Sequence, residues 1–247
     1  MLTLLLGRSG TGKSTHLLRR IRDSGDRRPQ VLIVPEQHSH DSERRLCALA
    51  GNQAAWYGEV LSFTRLAGRV FSVHGGLAAP TLDAGGRLLL MYTALKNVSD
   101  QLTLYRRPSR KPAFLSSLLS TVDELKTCRV SARQLWIAGE DAPGGEGDKL
   151  RDISLIYGAY EALTAQQGAD PRDRITRLAQ ALLDSRWGAG MDFYLDGFTD
   201  FTPQEREVID ALLCQAASVT VALTCDHLEE TDGGCGIFSP ARRTAWQ

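Results

Sequence analysis

Near the start of the chain, Gly7-Arg8-Ser9-Gly10-Thr11-Gly12-Lys13-Ser14 fits GxxxxGK[ST], the pattern of a phosphate-binding loop. Each residue type has a part in that chemistry. The glycines permit the tight backbone path that turns amide N–H groups towards a phosphate. The Lys13 ammonium reaches the β- and γ-phosphates of a nucleoside triphosphate, and the Ser14 hydroxyl ligates Mg²⁺. The helix expected next presents the positive end of its dipole to the same anion. The candidate cofactor-binding residues are therefore Gly7, Arg8, Ser9, Gly10, Thr11, Gly12, Lys13, Ser14 and Thr15, with ATP and Mg²⁺ as the ligands. The alternative is a glycine-rich turn with a coincidental lysine. Context weighs against it, because a short apolar strand precedes the motif and an amphipathic helix follows.

A phosphate loop needs a second acidic group to organise the metal, at the end of a neighbouring strand. Asp196 follows the apolar run Phe193-Tyr194-Leu195 and is the candidate, although Asp before Gly is also ordinary turn chemistry. Many ATPases of this kind carry a Glu next, to activate the attacking water from within hydrogen-bond reach. Here that residue is Gly197, and neither Asp200 nor Glu205 stands at the needed spacing. Weak or absent hydrolysis is the expectation.

The elements that must position these residues alternate. Strand patterns at 2–6, 31–34 and 59–63 are interleaved with helical patterns at 13–23, 41–50 and from 64 to 71. That alternation predicts a parallel sheet with helices on its faces. From residue 83 to about 187 the pattern is helical (87–98, 111–126, 149–167 and 171–185), with a glycine-rich loop over 139–147. Strand signals return at 193–195 and 219–224, with a helix over 203–216 between them. The reading is an α/β core in two parts, 1–75 and 188–247, interrupted by a helical insertion over 76–187. The last residues end without a closing element, as a truncated chain would.

Composition excludes several classes. The 247 residues carry 29 basic and 29 acidic side chains and are 43% hydrophobic, so neither wholesale disorder nor a strong overall basic excess is present. No run of about 18 apolar residues encodes a membrane span, and the apolar start is too short and uncharged for a signal peptide. Five scattered cysteines without a CxxC pair argue against a zinc site or disulfide framework and fit a reducing cytoplasm.

Three segments add a resemblance. Val34-Pro35-Glu36-Gln37, Leu61-Ser62-Phe63-Thr64-Arg65-Leu66 and the stretch from Leu195 through Asp196-Gly197-Phe198-Thr199-Asp200 to Glu205 resemble AddB, the helicase-like subunit of bacterial AddAB (RexAB-type) helicase–nucleases. Their order also resembles domain 1 of UvrD-type superfamily 1 helicases, which carry Asp-Glu-Phe-Gln-Asp where this chain has Asp196 to Asp200. The helical block resembles the inserted 1B subdomain of those helicases. After Thr224-Cys225-Asp226, no γ-phosphate-sensing Gln follows. The resemblance implies a RecA-like P-loop NTPase fold that has lost motor motifs, an AddA-like partner that drives unwinding, and a role in DNA end resection and recombinational repair with Chi recognition. It implies that the strand-end loops line a DNA channel, with Gln37, Ser62, Phe63 and Arg65 as candidate contacts. The packing alternative makes Ser62 a helix cap and Phe63 core. Full-length members add a nuclease domain and a 4Fe–4S cluster, and no residue here matches those parts.

Two other functions compete with a nucleotide-binding helicase-like domain. One is a small P-loop kinase or phosphotransferase, disfavoured by the hundred-residue helical block where a compact lid is usual. The other is a structural module with a vestigial phosphate loop. A motor would also need arginine fingers from a second RecA-like domain, absent from this sequence.

Overall fold

The computed structural model describes residues 1–77, 80–106, 111–225 and 239–246. The chain divides into two compact units, Met1–Gly75 with Ile175–Gln247, and Gly76–Arg174.

The first unit holds a five-stranded, wholly parallel sheet. Its strands are β1 (Leu2–Gly7), β2 (Gln30–Ile33), β3 (Gly58–Leu61), β4 (Asp192–Leu195) and β5 (Ser218–Thr224), in the order β1-β5-β4-β2-β3. A sheet of this kind buries both faces, and the side chains divide with the two-residue period of a strand. Leu32, Val60, Tyr194 and Ala222 face α1 (Lys13–Ser24) and α2 (Ser39–Ala50), which contribute Leu17, Leu18, Ile21 and Leu46. Val31, Ile33, Leu61, Phe193, Leu195, Val219, Val221 and Leu223 belong to the opposite core. That core is completed by α3 (Phe63–His74), α8 (Arg174–Ser185) and α9 (Pro203–Leu213), numbered in chain order across both units.

Three sequence expectations need correction here. The third strand stops at Leu61 rather than 63, because Ser62 turns to cap α3, its hydroxyl accepting from the Arg65 amide at 3.2 Å. The helical unit closes at Arg174 rather than 187, since Leu178, Ala179 and Leu182 of α8 are buried in the core beneath the sheet. The end of the chain does carry a further element, α10 (Ser239–Trp246), with Ala241 buried and Ala245 against the same core.

The second unit is built from α4 (Ala84–Val98), α5 (Pro112–Thr127), α6 (Ala132–Asp141) and α7 (Gly144–Gln167) around Met91, Ala94, Leu95, Val122, Ile156 and Tyr160. The expected glycine-rich loop over 139–147 is mostly helix. Ser131 starts α6 with a reciprocal capping box to Gln134. The glycines serve close approach instead: a Cβ on Gly147 would meet the carbonyl oxygens of Gly139 and Ala142 at 2.7 Å. A buried charge network ties the helices together. Lys126 Nζ lies 3.1 Å from Asp170 Oδ2 and 2.7 Å from Asp173, and Arg87 Nε lies 3.2 Å from Asp170 Oδ1. Arg87 also pairs with Asp123, and the Tyr160 hydroxyl donates to Asp170 at 3.0 Å. A second buried carboxylate, Asp152, accepts from the backbone N–H groups of Thr103, Leu104 and Tyr105 and fixes the turn after α4. Among the described residues, no helix is long and apolar enough to cross a membrane, and no group of three His, Cys, Asp or Glu is placed to hold a metal.

Candidate nucleotide and nucleic-acid sites

The phosphate-loop motif occupies the turn between the C-terminal end of β1 and the start of α1. In open parallel sheets, ligands bind outside the carboxyl ends of the strands, which is where this turn stands. Gly10 and Gly12 adopt left-handed backbone, φ +79 and +88, so glycine is required at both. A Cβ at either would point into open space, with nothing within 4 Å. Gly12 is the N-cap of α1 and offers no side chain, so the first amides of the helix remain available to an anion. Gly7 is needed for another reason: its Cβ would come 2.6 Å from the Thr11 hydroxyl.

Lys13 folds back over its own loop. Its ammonium donates to the carbonyl oxygens of Gly7 (2.7 Å) and Arg8 (2.9 Å), while the Thr11 hydroxyl donates to Arg8 O at 2.8 Å. The same Gly7 carbonyl accepts from the amide of Cys225 at 3.2 Å, which fastens the loop to the end of β5. Two carbonyls hold the lysine where an incoming phosphate would supply a stronger, charged acceptor.

Asp196 emerges at the end of β4, and its amide donates to Ile33 O at 3.0 Å. Register makes Leu195 level with Val221 and, through it, with Leu4. With strands about 4.8 Å apart, Asp196 sits about 10 Å across the sheet from β1, with β5 between them. The next residue is Gly197, in the left-handed region at φ +81 and packed under Pro35.

The four residues singled out for nucleic acid separate into two pairs. Ser62 is 3% exposed and donates to the Glu36 carboxylate while capping α3. Phe63 is 5% exposed, its ring 5.6 Å from Phe198 and 6.5 Å from Phe201. Both are engaged in packing and neither offers a surface to a strand of DNA. Gln37 is exposed beside the end of β2, and Arg65 is exposed and pairs with Glu43 at 2.8 Å. Sequence reasoning missed Glu36, which joins the ends of β2 and β3 through Ser62. Its place directly after the apolar run and Pro35 was the available signal. Arg107, Arg110 and Asp226 lie outside the described residues.

Comparison with known proteins resolves the family. The model of the family described as ADDB, N-terminal, matches residues 4–247. The chain belongs to the ADDB N-terminal family. Its relatives are named as one of the subunits of an ATP-dependent helicase/deoxyribonuclease. That of Thermoanaerobacter sp. (strain X514) is 34% identical over 244 residues, covering 97% of this chain and 21% of the relative. That of Desulforudis audaxviator (strain MP104C) is 38% identical over 252 residues, covering 98% and 22%. That of Clostridioides difficile (strain 630) is 33% identical over 234 residues, covering 92% and 20%. This ADDB N-terminal chain thus spans about a fifth of the length of the curated relatives it matches.

Proposed function

We propose that this chain is a nucleotide-binding, helicase-like domain that does not itself translocate, serving an ATP-dependent DNA helicase/exonuclease in double-strand-break end resection and recombinational repair. The reading assigns it to the RecA-like P-loop fold of domain 1 in superfamily 1 helicases. The observation that carries it is the pairing of an intact phosphate loop with a glycine, Gly197, where a water-activating acid would stand.

The loop residues fit ATP and Mg²⁺. Open space over Gly10 and Gly12, an uncapped helix start and a lysine held by loop carbonyls are what an anion site requires. In this reading the amides from Gly10 to Thr15 cradle the phosphates, and Lys13 leaves the Gly7 and Arg8 carbonyls to neutralise them. Ser14 and Asp196 would hold the magnesium, which would supply charge neutralisation to the phosphates. With glycine at 197, the chain has no general base at the end of β4, so bound nucleotide persists and acts as a conformational ligand. A partner of AddA type supplies the motor, and DNA passes the strand ends beside Gln37 and Arg65.

Isothermal titration of the protein with ATP and Mg²⁺, against Lys13→Ala, tests the first step. Heat of binding is expected from the parent protein and a loss of at least tenfold in affinity from the variant. Indistinguishable titrations would sink nucleotide binding at this loop.

A further inference from the structure

A groove of about 530 Å³ runs along β3, at the edge of the sheet. Its base is the strand itself. Gln30 N donates to Tyr57 O at 2.8 Å and Val34 N donates to Leu61 O at 2.9 Å, so the backbone of Tyr57, Glu59 and Leu61 turns to β2. In a parallel ladder the N–H and C=O of one residue point to the same side. Those of Gly58 and Val60 therefore point away from β2, into the groove that both residues line. Among the described residues, no strand pairs with them.

The walls come from both faces of the sheet. Leu46 of α2 and Ala54 of the short 3₁₀ helix Asn52–Trp56 stand on one side, and α3 on the other. Trp187 and Met191 close the end where the strands begin. Arg65 pairs with Glu43 at 2.8 Å and Arg69 with Glu59 at 3.4 Å, and all four line the groove. These charges cancel in pairs, so the groove suits an occupant without net charge. Since α2 and α3 pack on opposite faces, the Glu43–Arg65 pair reaches around β3. Both partners are substantially exposed, and an ion pair of that kind holds weakly and parts easily. Trp56, at the mouth, is 89% exposed.

We propose that this groove receives an extended, uncharged segment of the partner subunit, which bonds to the backbone of Gly58 and Val60 and packs apolar side chains on Trp56, Trp187 and Met191. The inference rests on the reading above in which the chain serves a partner, and it adds where and how that partner docks. Donors and acceptors spaced along a strand match another main chain, while apolar walls on either side take alternate side chains. A tryptophan set at the mouth is the residue type that anchors protein interfaces. A second copy fits poorly, because the edge lies between α2 and α3. Two such recessed edges would bring their helices into collision before their strands could pair.

The test uses the full natural polypeptide, alone and in complex with its partner subunit. Cys47 lines the groove and is exposed, so its rate of alkylation by N-ethylmaleimide, read by peptide mass spectrometry, reports occupancy without any substitution. In a separate variant benzoylphenylalanine replaces Trp56, and peptides captured on illumination are mapped. Alkylation of Cys47 is expected to slow about tenfold in the complex, and position 56 is expected to capture a peptide of the partner. Unchanged alkylation in a formed complex overturns the inference and leaves the partner reading standing. So does capture at position 56 of a later segment of the same chain, of a second copy or of nothing. Failure of the two proteins to associate overturns both. Should the variant fail to fold, the alkylation rates of the unsubstituted protein decide.

Discussion

The Cβ position of Gly197 lies 3.3 Å from Pro35 Cδ and 3.7 Å from His38 Cδ2, on a backbone at φ +81. Glycine at this point is therefore demanded by the turn and is more than a side-chain choice. A residue with a Cβ must accept left-handed backbone, at about 1–3 kcal/mol, and must push against the turn that follows β2. Gly197→Glu is expected to lower stability by about that amount and to leave phosphate release from ATP at background. Urea melts and a phosphate-release assay check both. Brisk hydrolysis with an unchanged midpoint would mean that the turn tolerates the acid.

The base of the phosphate loop makes a similar demand through a contact. Gly7→Ala would set a methyl 2.6 Å from the Thr11 hydroxyl, which itself is bonded to Arg8 O. Relief requires the Thr11 hydroxyl to rotate off Arg8 O or the loop to shift, so nucleotide affinity should fall by up to about tenfold, the equivalent of about 1.4 kcal/mol. Removing the hydroxyl in the double variant Gly7→Ala, Thr11→Ala should recover part of that loss. Two titrations that simply add would place the effect elsewhere.

Much of the α/β unit was legible because its signals are local. Val31-Leu32-Ile33-Val34 and Phe193-Tyr194-Leu195 are short apolar runs bounded by turn residues, and the loop motif sits between a strand and a helix as its chemistry demands. What escaped was tertiary in origin. Phe63 continues a strand pattern, yet the Ser62 cap and the ring contacts with Phe198 and Phe201 put it in α3. Gly139 and Gly147 read as a loop because no single segment reveals that each faces the other helix. The helix over 174–185 looked like the end of the insertion, and only its partners on the sheet assign it to the first unit. At the candidate site, residue types were legible, but not that Ser62 would be consumed by Glu36.

The glycines between α6 and α7 offer an internal control. Gly147→Ala places its methyl against two carbonyl oxygens at 2.7 Å, neither free to move without shifting a helix. A loss of about 1–3 kcal/mol is expected. Gly145, in the first turn of α7, has nothing within 4 Å of its Cβ position, so Gly145→Ala is expected to be neutral or stabilising by up to about 1 kcal/mol. Thermal melts of both variants compare them directly, and equal effects would refute close helix approach as the reason for glycine at 147.

Asp170 should make the helical unit sensitive to acid. Burial pushes its carboxyl up and is the largest single influence. The Arg172 amide, Lys126 and Arg87 together outweigh it and hold the group below the ordinary carboxylate range. A lowered folded-state value contributes stability above the unfolded value of about 3.9, and that contribution is lost as pH falls towards the folded value. Asp170→Asn leaves Lys126 and Arg87 without their shared carboxylate, so a loss of about 3–5 kcal/mol is expected at neutral pH. The gap between parent and variant should narrow on acidification below about pH 4. Urea denaturation at several pH values, followed by a probe in the helical unit, measures it. A gap independent of pH would remove the ionised Asp170 from the account.

The strand-end loops should separate structural from DNA-facing residues. Ser62→Ala removes the cap of α3 and the partner of Glu36, at about 1 kcal/mol, and Phe63→Ala opens the core at about 3–5 kcal/mol. Neither should alter the affinity of the folded protein for single-stranded DNA. Arg65→Ala and Gln37→Ala should do the reverse, leaving stability within about 0.5 kcal/mol while weakening binding. Arg65 is partly neutralised by Glu43 at 2.8 Å, with both side chains substantially exposed. Glu43→Gln therefore frees a cation for phosphate, and binding should tighten and become more steeply salt-dependent. Fluorescence anisotropy with a labelled oligonucleotide at several salt concentrations distinguishes these outcomes. If Glu43→Gln leaves both affinity and salt slope unchanged while Phe63→Ala abolishes binding in a folded protein, DNA runs along a different face of the sheet.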